Sequence, residues 1–100
     1  MSNETFRIVR DTTVRSVRFE AVGELDMAHT QQVADALGVI DDDIVVDCSQ
    51  LSFLDSAGIG ALVAQHARLQ GAGHRVTLVN LEGQPRRTLA ISGLLEAFLE

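Results

Sequence analysis

Residues 44–60 read IVVDCSQLSFLDSAGIG, and this stretch decides the fold. Its first five residues form a short, nearly continuous apolar run, which is typical of a central strand covered on both faces of a sheet. The polar pair Asp55 and Ser56 follows, and an apolar pattern with helical spacing begins directly after it. A buried strand that leads into a helix within so few residues predicts a β-α unit of an α/β domain.

Two stretches have apolar residues at the spacing of helices that bury one face. Residues 28–40 are expected to form the first helix. The second begins near Ser56 and is expected to be closed by Gly71 and Gly73. The predicted buried positions are Val33, Ala36, Leu37 and Ile40 in the first helix and Ile59, Leu62, Val63, His66 and Leu69 in the second.

The N-terminal part of the chain predicts two strands joined by a turn. Residues 6–10 alternate apolar and polar side chains, the pattern of a half-buried strand. Residues 11–13 are a turn signal, and a second apolar run then ends at Gly23. The apolar positions of that run are Val14, Val17, Phe19 and Val22. Because the connection is short, the pair is expected to form an antiparallel hairpin.

The C-terminal part predicts one more strand, at residues 75–80, and one more helix. Pro85 suits the first position of that helix, which Gly93 is expected to stop. The resulting order, β-β-α-β-α-β-α, combines the hairpin with right-handed parallel crossovers. We therefore expect an α/β fold in which helices pack on one mixed sheet, with all 100 residues in a single domain.

Charge and composition exclude several classes of function. Eight arginines, no lysine and fourteen acidic residues give a net charge of −6, so the basic patch that nucleic-acid binding needs is not expected. The lack of lysine excludes Schiff-base chemistry and a P-loop lysine. One cysteine and three scattered histidines argue against a structural zinc site. Without a long apolar run or a signal peptide, the chain is expected in the cytoplasm and not in a membrane.

Asp55 and Ser56 stand where a strand ends and a helix begins, and functional sites of open α/β sheets gather at such places. As a helix cap, the dipeptide would accept hydrogen bonds from free backbone N–H groups, which is worth about 1 kcal/mol. As a phosphate acceptor, its serine would carry a dianion that the helix dipole stabilises. The two interpretations are compatible when one residue caps the helix and the other is exposed.

Catalysis by Ser56 is not expected. A hydrolase nucleophile elbow needs a glycine two residues before the serine, where this chain has Leu54. No histidine or acid can be paired with Ser56 as a base from the sequence. Gly58 and Gly60 lack the other parts of a dinucleotide fingerprint, so we expect them to let the start of the helix approach the sheet closely.

Residues 23–26, GELD, close the hairpin and precede the first helix. Asp26 is interpreted either as a turn residue whose charge complements that helix or as part of an acidic docking surface near Ser56. Spacing alone leaves both interpretations open.

Four segments appear in a fixed order: GELD at 23–26, IVVD at 44–47, LSFLDSAG at 51–58 and ISGL at 91–94. Through them the chain resembles a STAS domain of the bacterial anti-sigma factor antagonist type. The resemblance covers about residues 6–95. It implies a mixed sheet with packed helices, in agreement with the elements predicted above.

The resemblance also has two departures. Family members commonly continue past the last segment with another strand and a helix, whereas about seven residues follow Gly93 here, so those elements are expected to be short or absent. The stretch between Asp26 and Ser56 is shorter than in the sporulation-type member. We therefore expect the first helix, or the loop after it, to be trimmed.

The resemblance implies a non-enzymatic phosphoprotein that regulates transcription by partner switching, for example in stress responses. A cognate anti-sigma factor, itself a serine kinase, would phosphorylate Ser56; the unphosphorylated form would bind that kinase and release a sigma factor. A phosphoserine phosphatase would restore the active form. Asp26, which helps kinase recognition in the family, is expected to share the partner-binding surface with Asp55, Ser56, Ala57 and Gly58. No cofactor or metal is implied.

Two alternatives remain open. The first alternative is a constitutive STAS subunit of a larger assembly, such as a stress-signalling complex or a lipid-transport ABC system. The second is a small enzyme that uses Ser56 as a nucleophile. Thr30 and Ser52 are fallback phosphate acceptors.

Four other features receive ordinary structural interpretations. His66 is expected to be a packed core histidine and Cys48 an inert core thiol. Arg86 and Arg87 are interpreted as a solvated helix face, with contact to an acidic partner as the alternative. Residues 41–43, three consecutive aspartates, are expected to form a solvated loop and not a calcium site, because calcium ligands are spaced around a loop.

Overall fold

The computed structural model describes residues 6–99, in which an antiparallel hairpin is followed by two parallel β-α-β steps. The elements are β1 (Phe6–Arg10), β2 (Val17–Leu25), a 3₁₀ helix (Met27–His29), α1 (Thr30–Leu37), β3 (Ile44–Leu54), α2 (Ser56–Gln70), β4 (Val76–Val79), α3 (Gly83–Ile91) and α4 (Leu95–Phe98). The strand order is β1-β2-β3-β4, antiparallel between β1 and β2 and parallel elsewhere. The predicted α/β fold with a mixed sheet is confirmed.

One core cluster joins the sheet to the buried faces of α1 and α2 and also includes Leu89 of α3 and Phe98 of α4. Along β2, Phe19, Ala21 and Leu25 are buried and the residues between them are more exposed, the two-residue period of a strand with one core face. Val33 and Leu37 of α1 are fully buried, and each such aliphatic side chain stabilises the fold by about 1.5–3 kcal/mol. In α2 the predicted stripe is confirmed: Ile59, Leu62, His66 and Leu69 are buried, and Val63 is partly buried.

The first helix is shorter than residues 28–40. Asp26 Oδ1 accepts a hydrogen bond from the Ala28 N–H at 3.0 Å, which starts a 3₁₀ helix instead. Its last residue, His29, has the non-helical angles φ −122° and ψ 8° and is the N-cap of α1. At the other end, Arg68 Nη2 donates to the carbonyls of Leu37 and Ile40, each at 2.9 Å. These bonds satisfy carbonyls that a longer helix would have paired internally.

Both central strands run further than the sequence predicts. The prediction that Gly23 ends β2 is wrong: the strand continues to Leu25, and Gly23 takes φ 98° at a register irregularity within it. The start of β2 was placed too early, since Val14 lies in the turn region before Val17 and is exposed. β3 continues beyond the predicted run 44–48 to Leu54. As a result, β2 and β3 end side by side.

The C-terminal elements also differ in detail. Pro85 is the third residue of α3 and not the first, because Gly83, with φ 61°, begins the helix. Gly93 has φ 79° and follows the end of α3, as predicted. The residues after it form the one-turn helix α4, whose Phe98 is fully buried and lies 5.2 Å from the His66 ring, centroid to centroid.

Candidate functional site

The ends of β2 and β3 bring the two predicted acidic segments together. Leu25 pairs with Leu54 in the parallel register, and the Asp55 N–H donates to the Leu25 carbonyl at 3.3 Å. Asp26 and Asp55 therefore each follow the last residue of neighbouring strands, at one edge of the sheet. Spacing along the chain left this proximity open, and the structure provides it through strand register.

Asp55 is the N-cap of α2. Its backbone is extended, and its Oδ1 accepts a hydrogen bond from the Gly58 N–H at 2.8 Å. Ser56 is the first residue of the helix and is exposed. The dipeptide thus has the compatible arrangement that the sequence allows, with Asp55 as the cap and Ser56 at the surface.

Gly58 brings α2 close to the sheet. A Cβ atom at this position would lie 2.5 Å from the Leu25 carbonyl oxygen and 2.8 Å from Leu54 Cδ1. The prediction of a close approach is confirmed for Gly58. It is wrong for Gly60, where a Cβ would meet nothing within 4 Å.

Asp26 caps the 3₁₀ helix and also binds a histidine. Its Oδ1 lies 2.7 Å from His29 Nδ1, and because a carboxylate only accepts hydrogen bonds, Nδ1 is the donor. The His29 ring in turn packs near Phe6, with centroids 5.9 Å apart. The predicted turn role of Asp26 is confirmed, while its histidine partner was missed; the only signal in the sequence is the three-residue spacing.

Two exposed apolar side chains flank this edge, and sequence reasoning missed both. Met27 directly follows Asp26 and is 77% exposed, and Phe53 lies two residues before Asp55 and is 37% exposed. Apolar and aromatic side chains among charged groups are the composition of protein interaction surfaces.

Gln84 of α3 contacts the end of β3 on the side that faces away from β2. Nothing in the sequence around Gln84 predicts this contact. Its Oε1 accepts a hydrogen bond from the Leu54 N–H at 2.8 Å, and its Nε2 donates to the Leu54 carbonyl at 2.9 Å. One side-chain amide therefore satisfies both backbone groups of the last residue of β3.

The remaining candidates lie outside this edge or are engaged elsewhere. Ser52 is exposed, and its hydroxyl donates to the Gly23 carbonyl at 3.1 Å. Thr30 begins α1 and is partly buried. Arg86 and Arg87 are exposed on α3, as the solvated-face interpretation expects.

Cys48 and His66 are core residues, as predicted. Burial raises the pKa of the Cys48 thiol to about 12, so the thiolate is not formed at neutral pH. Burial, followed by the charge of Arg75, lowers the pKa of His66.

Among residues 6–99, one group has the spacing of metal ligands: Asp42, Asp43 and His74, whose donor atoms lie within 4.8 Å of one another. Its aspartates precede β3 and its histidine precedes β4, so the group lies at the opposite end of β3 from Ser56. Asp43 Oδ1 accepts a hydrogen bond from the Arg75 N–H at 3.1 Å, so the aspartate loop holds the turn before β4. Its aspartates are exposed, as expected of a solvated loop.

Within residues 6–99, the structure contains no helix with the length and apolar character needed to span a membrane.

A family model described as "Mlab, STAS domain" matches residues 8–100. The chain therefore belongs to the STAS domain family, and its fold is that of this class. No curated protein sequence gave a match.

Several solved structures share the fold. An anti-sigma factor antagonist from Mycobacterium paratuberculosis is 22% identical with a TM-score of 0.78, covering 97% of this chain and 86% of that one. The anti-sigma factor antagonist SpoIIAA in its unphosphorylated form is 24% identical with a TM-score of 0.74, covering 96% and 86%. SpoIIAA of Bacillus has also been solved in a phosphorylated form. A sulfate transporter family protein from Wolinella succinogenes is 18% identical with a TM-score of 0.69, covering 81% and 69%.

Proposed function

We propose that this chain is an anti-sigma factor antagonist controlled by phosphorylation of Ser56. Unphosphorylated, it binds a cognate anti-sigma factor serine kinase in the cytoplasm and causes release of a sigma factor. Phosphorylation inactivates it, and a phosphoserine phosphatase restores it. The observation that carries the proposal is the division of roles at the start of α2, where Asp55 caps the helix and Ser56 is exposed.

Electrostatics support a switch at this position. A phosphoseryl group adds about −1.5 to −2 charges at neutral pH, and the N-terminus of α2 stabilises negative charge, so the fold tolerates the modification. A partner packed on this edge would instead have to bury that charge next to Asp26 and Asp55. A penalty of about 3 kcal/mol weakens binding more than a hundredfold.

The docking surface that we propose combines Asp26, Asp55, Ser56, Ala57 and Gly58. Gly58 is buried and contributes through the close fit of α2 to the sheet. The exposed side chains of Met27 and Phe53 extend this surface with apolar area.

The proposed role requires no catalysis by this chain. In phosphoryl transfer the kinase supplies the nucleotide, the magnesium ion and the base, and the substrate supplies an exposed hydroxyl on a rigid frame. A fluorophosphonate that labelled Ser56 covalently would contradict this part of the proposal.

The test is to incubate the full chain with magnesium, ATP and a lysate of the organism that encodes it, and to map phosphate by peptide fragmentation. Ser56→Ala removes the proposed acceptor, and Ser52→Ala is the matched control. We expect phosphate on Ser56 in the wild type and in Ser52→Ala. Unmodified Ser56, in a lysate that phosphorylates a known kinase substrate added alongside, would contradict the proposal.

Binding is tested with the kinase purified from that lysate. We expect Ser56→Ala to bind it and Ser56→Asp to bind at least tenfold more weakly. Equal affinity of Ser56→Asp and the wild type would exclude the electrostatic switch.

The likeness to a sulfate transporter family protein favours a second candidate, a constitutive STAS subunit of a larger assembly. In that case the chain would co-purify with a high-mass complex or a membrane ATPase. Its association would not change on Ser56→Asp, which distinguishes the two functions.

A further inference from the structure

We propose that Gln84 is a positioning residue for Ser56. Its amide fixes the end of β3, and with it the corner (residues 54–56) that presents the serine hydroxyl. Because Gln84 belongs to α3, a movement of that helix would change the position of the Ser56 hydroxyl. The functional half of this inference rests on the proposed function, whereas the positioning itself does not.

The need for such a residue follows from the unequal lengths of β3 and β4. β3 has 11 residues and β4 has 4, and β4 pairs only with residues 44–47 of β3. Within residues 6–99, the side of β3 that faces away from β2 therefore has no strand beside it at Leu54. Buried backbone N–H and C=O groups without partners are costly.

The side-chain amide of Gln84 supplies the donor and the acceptor that a neighbouring strand would otherwise provide to the backbone of Leu54. The two bonds, at 2.8 and 2.9 Å, are of ordinary hydrogen-bond length and are partly buried. On its other side, Leu54 pairs with Leu25 of β2. Leu54, the first residue of the corner, thus lies between strand β2 on one side and the Gln84 side chain on the other.

The same amide anchors the start of α3. Glu82, the N-cap of α3, makes no side-chain capping bond. Gln84 is the second residue of the helix, and its bonds to Leu54 tie the first turn of α3 to β3. A ligand or partner that moves this turn would therefore also displace Leu54, two positions before Ser56, through these two hydrogen bonds.

The experiment uses the full chain labelled with ¹⁵N. Gln84→Met keeps the length of the side chain and removes both hydrogen bonds. Gln84→Glu keeps the acceptor and loses the donor. Gln32→Met is the matched control, because Gln32 also bonds a backbone carbonyl, that of Phe6 at 3.5 Å, but on α1.

The first measurement is amide exchange and chemical shift. In Gln84→Met we expect exchange of the Leu54 amide to rise about tenfold or more, relative to the Val46 amide in the same strand, because local hydrogen bonds set local opening. We also expect the Asp55 and Ser56 amide resonances to shift. Below the pKa of its carboxyl, the new side chain of Gln84→Glu is protonated and has a donor again. Under those conditions we expect the Asp55 and Ser56 resonances to return toward those of the wild type measured at the same pH. Unchanged Leu54 exchange and unchanged Ser56 resonances in Gln84→Met would overturn the positioning role.

The second measurement is the rate of Ser56 phosphorylation in the lysate, at equal concentrations of folded protein. We expect Gln84→Met to be phosphorylated at least tenfold more slowly and Gln32→Met at the wild-type rate. Equal rates in Gln84→Met and the wild type would overturn the link to Ser56. If wild-type Ser56 is not phosphorylated, the proposed function fails, and the exchange experiment alone decides the positioning role.

Discussion

The Nδ1 atom of His66 accepts a hydrogen bond of 3.0 Å from the backbone N–H of Val76. The imidazole is therefore neutral in the folded protein, since a protonated ring would present a second donor to that N–H. Through this bond α2 holds the first residue of β4, and the same ring packs against Phe98 of α4.

This bond predicts loss of stability in mild acid. Burial, and then the charge of Arg75, lowers the pKa of His66 below the ordinary histidine value of about 6.5. The unfolded chain then binds this proton more readily than the folded one, so the free energy of unfolding falls as pH drops below about 6.5. Denaturant titrations at several pH values measure it. His66→Gln keeps an acceptor without titrating, and its unfolding should depend less on pH; equal pH dependence in both proteins would contradict the prediction.

Gly58→Ala is expected to destabilise the fold strongly. The new Cβ would lie 2.5 Å from the Leu25 carbonyl oxygen, and relieving that overlap must move α2 or β2, at a cost of about 1–3 kcal/mol. Gly60→Ala is the matched control in the same helix turn. Because its Cβ meets nothing within 4 Å, we expect a gain of about 0.5–1 kcal/mol from helix propensity. Urea unfolding of both variants checks this, and similar values for the two would contradict the close approach.

Asp55→Ala is expected to cost about 1 kcal/mol, because it removes the hydrogen bond from Oδ1 to the Gly58 N–H. Glu82→Ala is a matched control, since Glu82 occupies the N-cap of α3 without a side-chain capping bond. We expect thermal unfolding to separate them, with a lower Tm for Asp55→Ala and an almost unchanged Tm for Glu82→Ala. Equal shifts would mean that the Asp55 cap contributes nothing.

Arg68→Ala is expected to loosen the end of α1 and to destabilise the protein by about 1 kcal/mol, since it removes two hydrogen bonds, one to the carbonyl of Leu37 and one to that of Ile40. Arg86→Ala removes an exposed arginine of α3 and should change stability by less than about 0.5 kcal/mol. Chemical denaturation measures both. Amide exchange near Leu37 that stays at the wild-type rate in Arg68→Ala would argue against this role.

The α2 region could be predicted because its signals are local. The apolar run that begins at Ile44, the cap at Asp55 and the stripe through Leu62 each depend on spacing within one element. The full length of β3 could not be predicted, because its second half alternates irregularly and includes exposed Ser49 and Gln50. Strand pairing with β2 and the amide of α3, and not apolar patterning, keep that half extended.

The candidate site could be predicted in part for the same reason. Ser56 and Asp26 were found from their segments, but their shared edge depends on the register of Leu25 with Leu54. Gln84 lies 30 positions from the residue that it holds, and its neighbours in the sequence carry no sign of that contact. Such a long-range bond follows from packing and from no pattern within α3.

The burial of Cys48 has a practical consequence for optical measurements on this domain. The chain has neither tryptophan nor tyrosine, so it has little fluorescence of its own. Its one thiol, buried and with its pKa raised to about 12, resists alkylation in the folded state. A single cysteine introduced by Gly60→Cys, one helical turn beyond Ser56, would therefore take up one dye selectively. A change in the fluorescence of that dye would report the binding of another molecule at this end of the sheet.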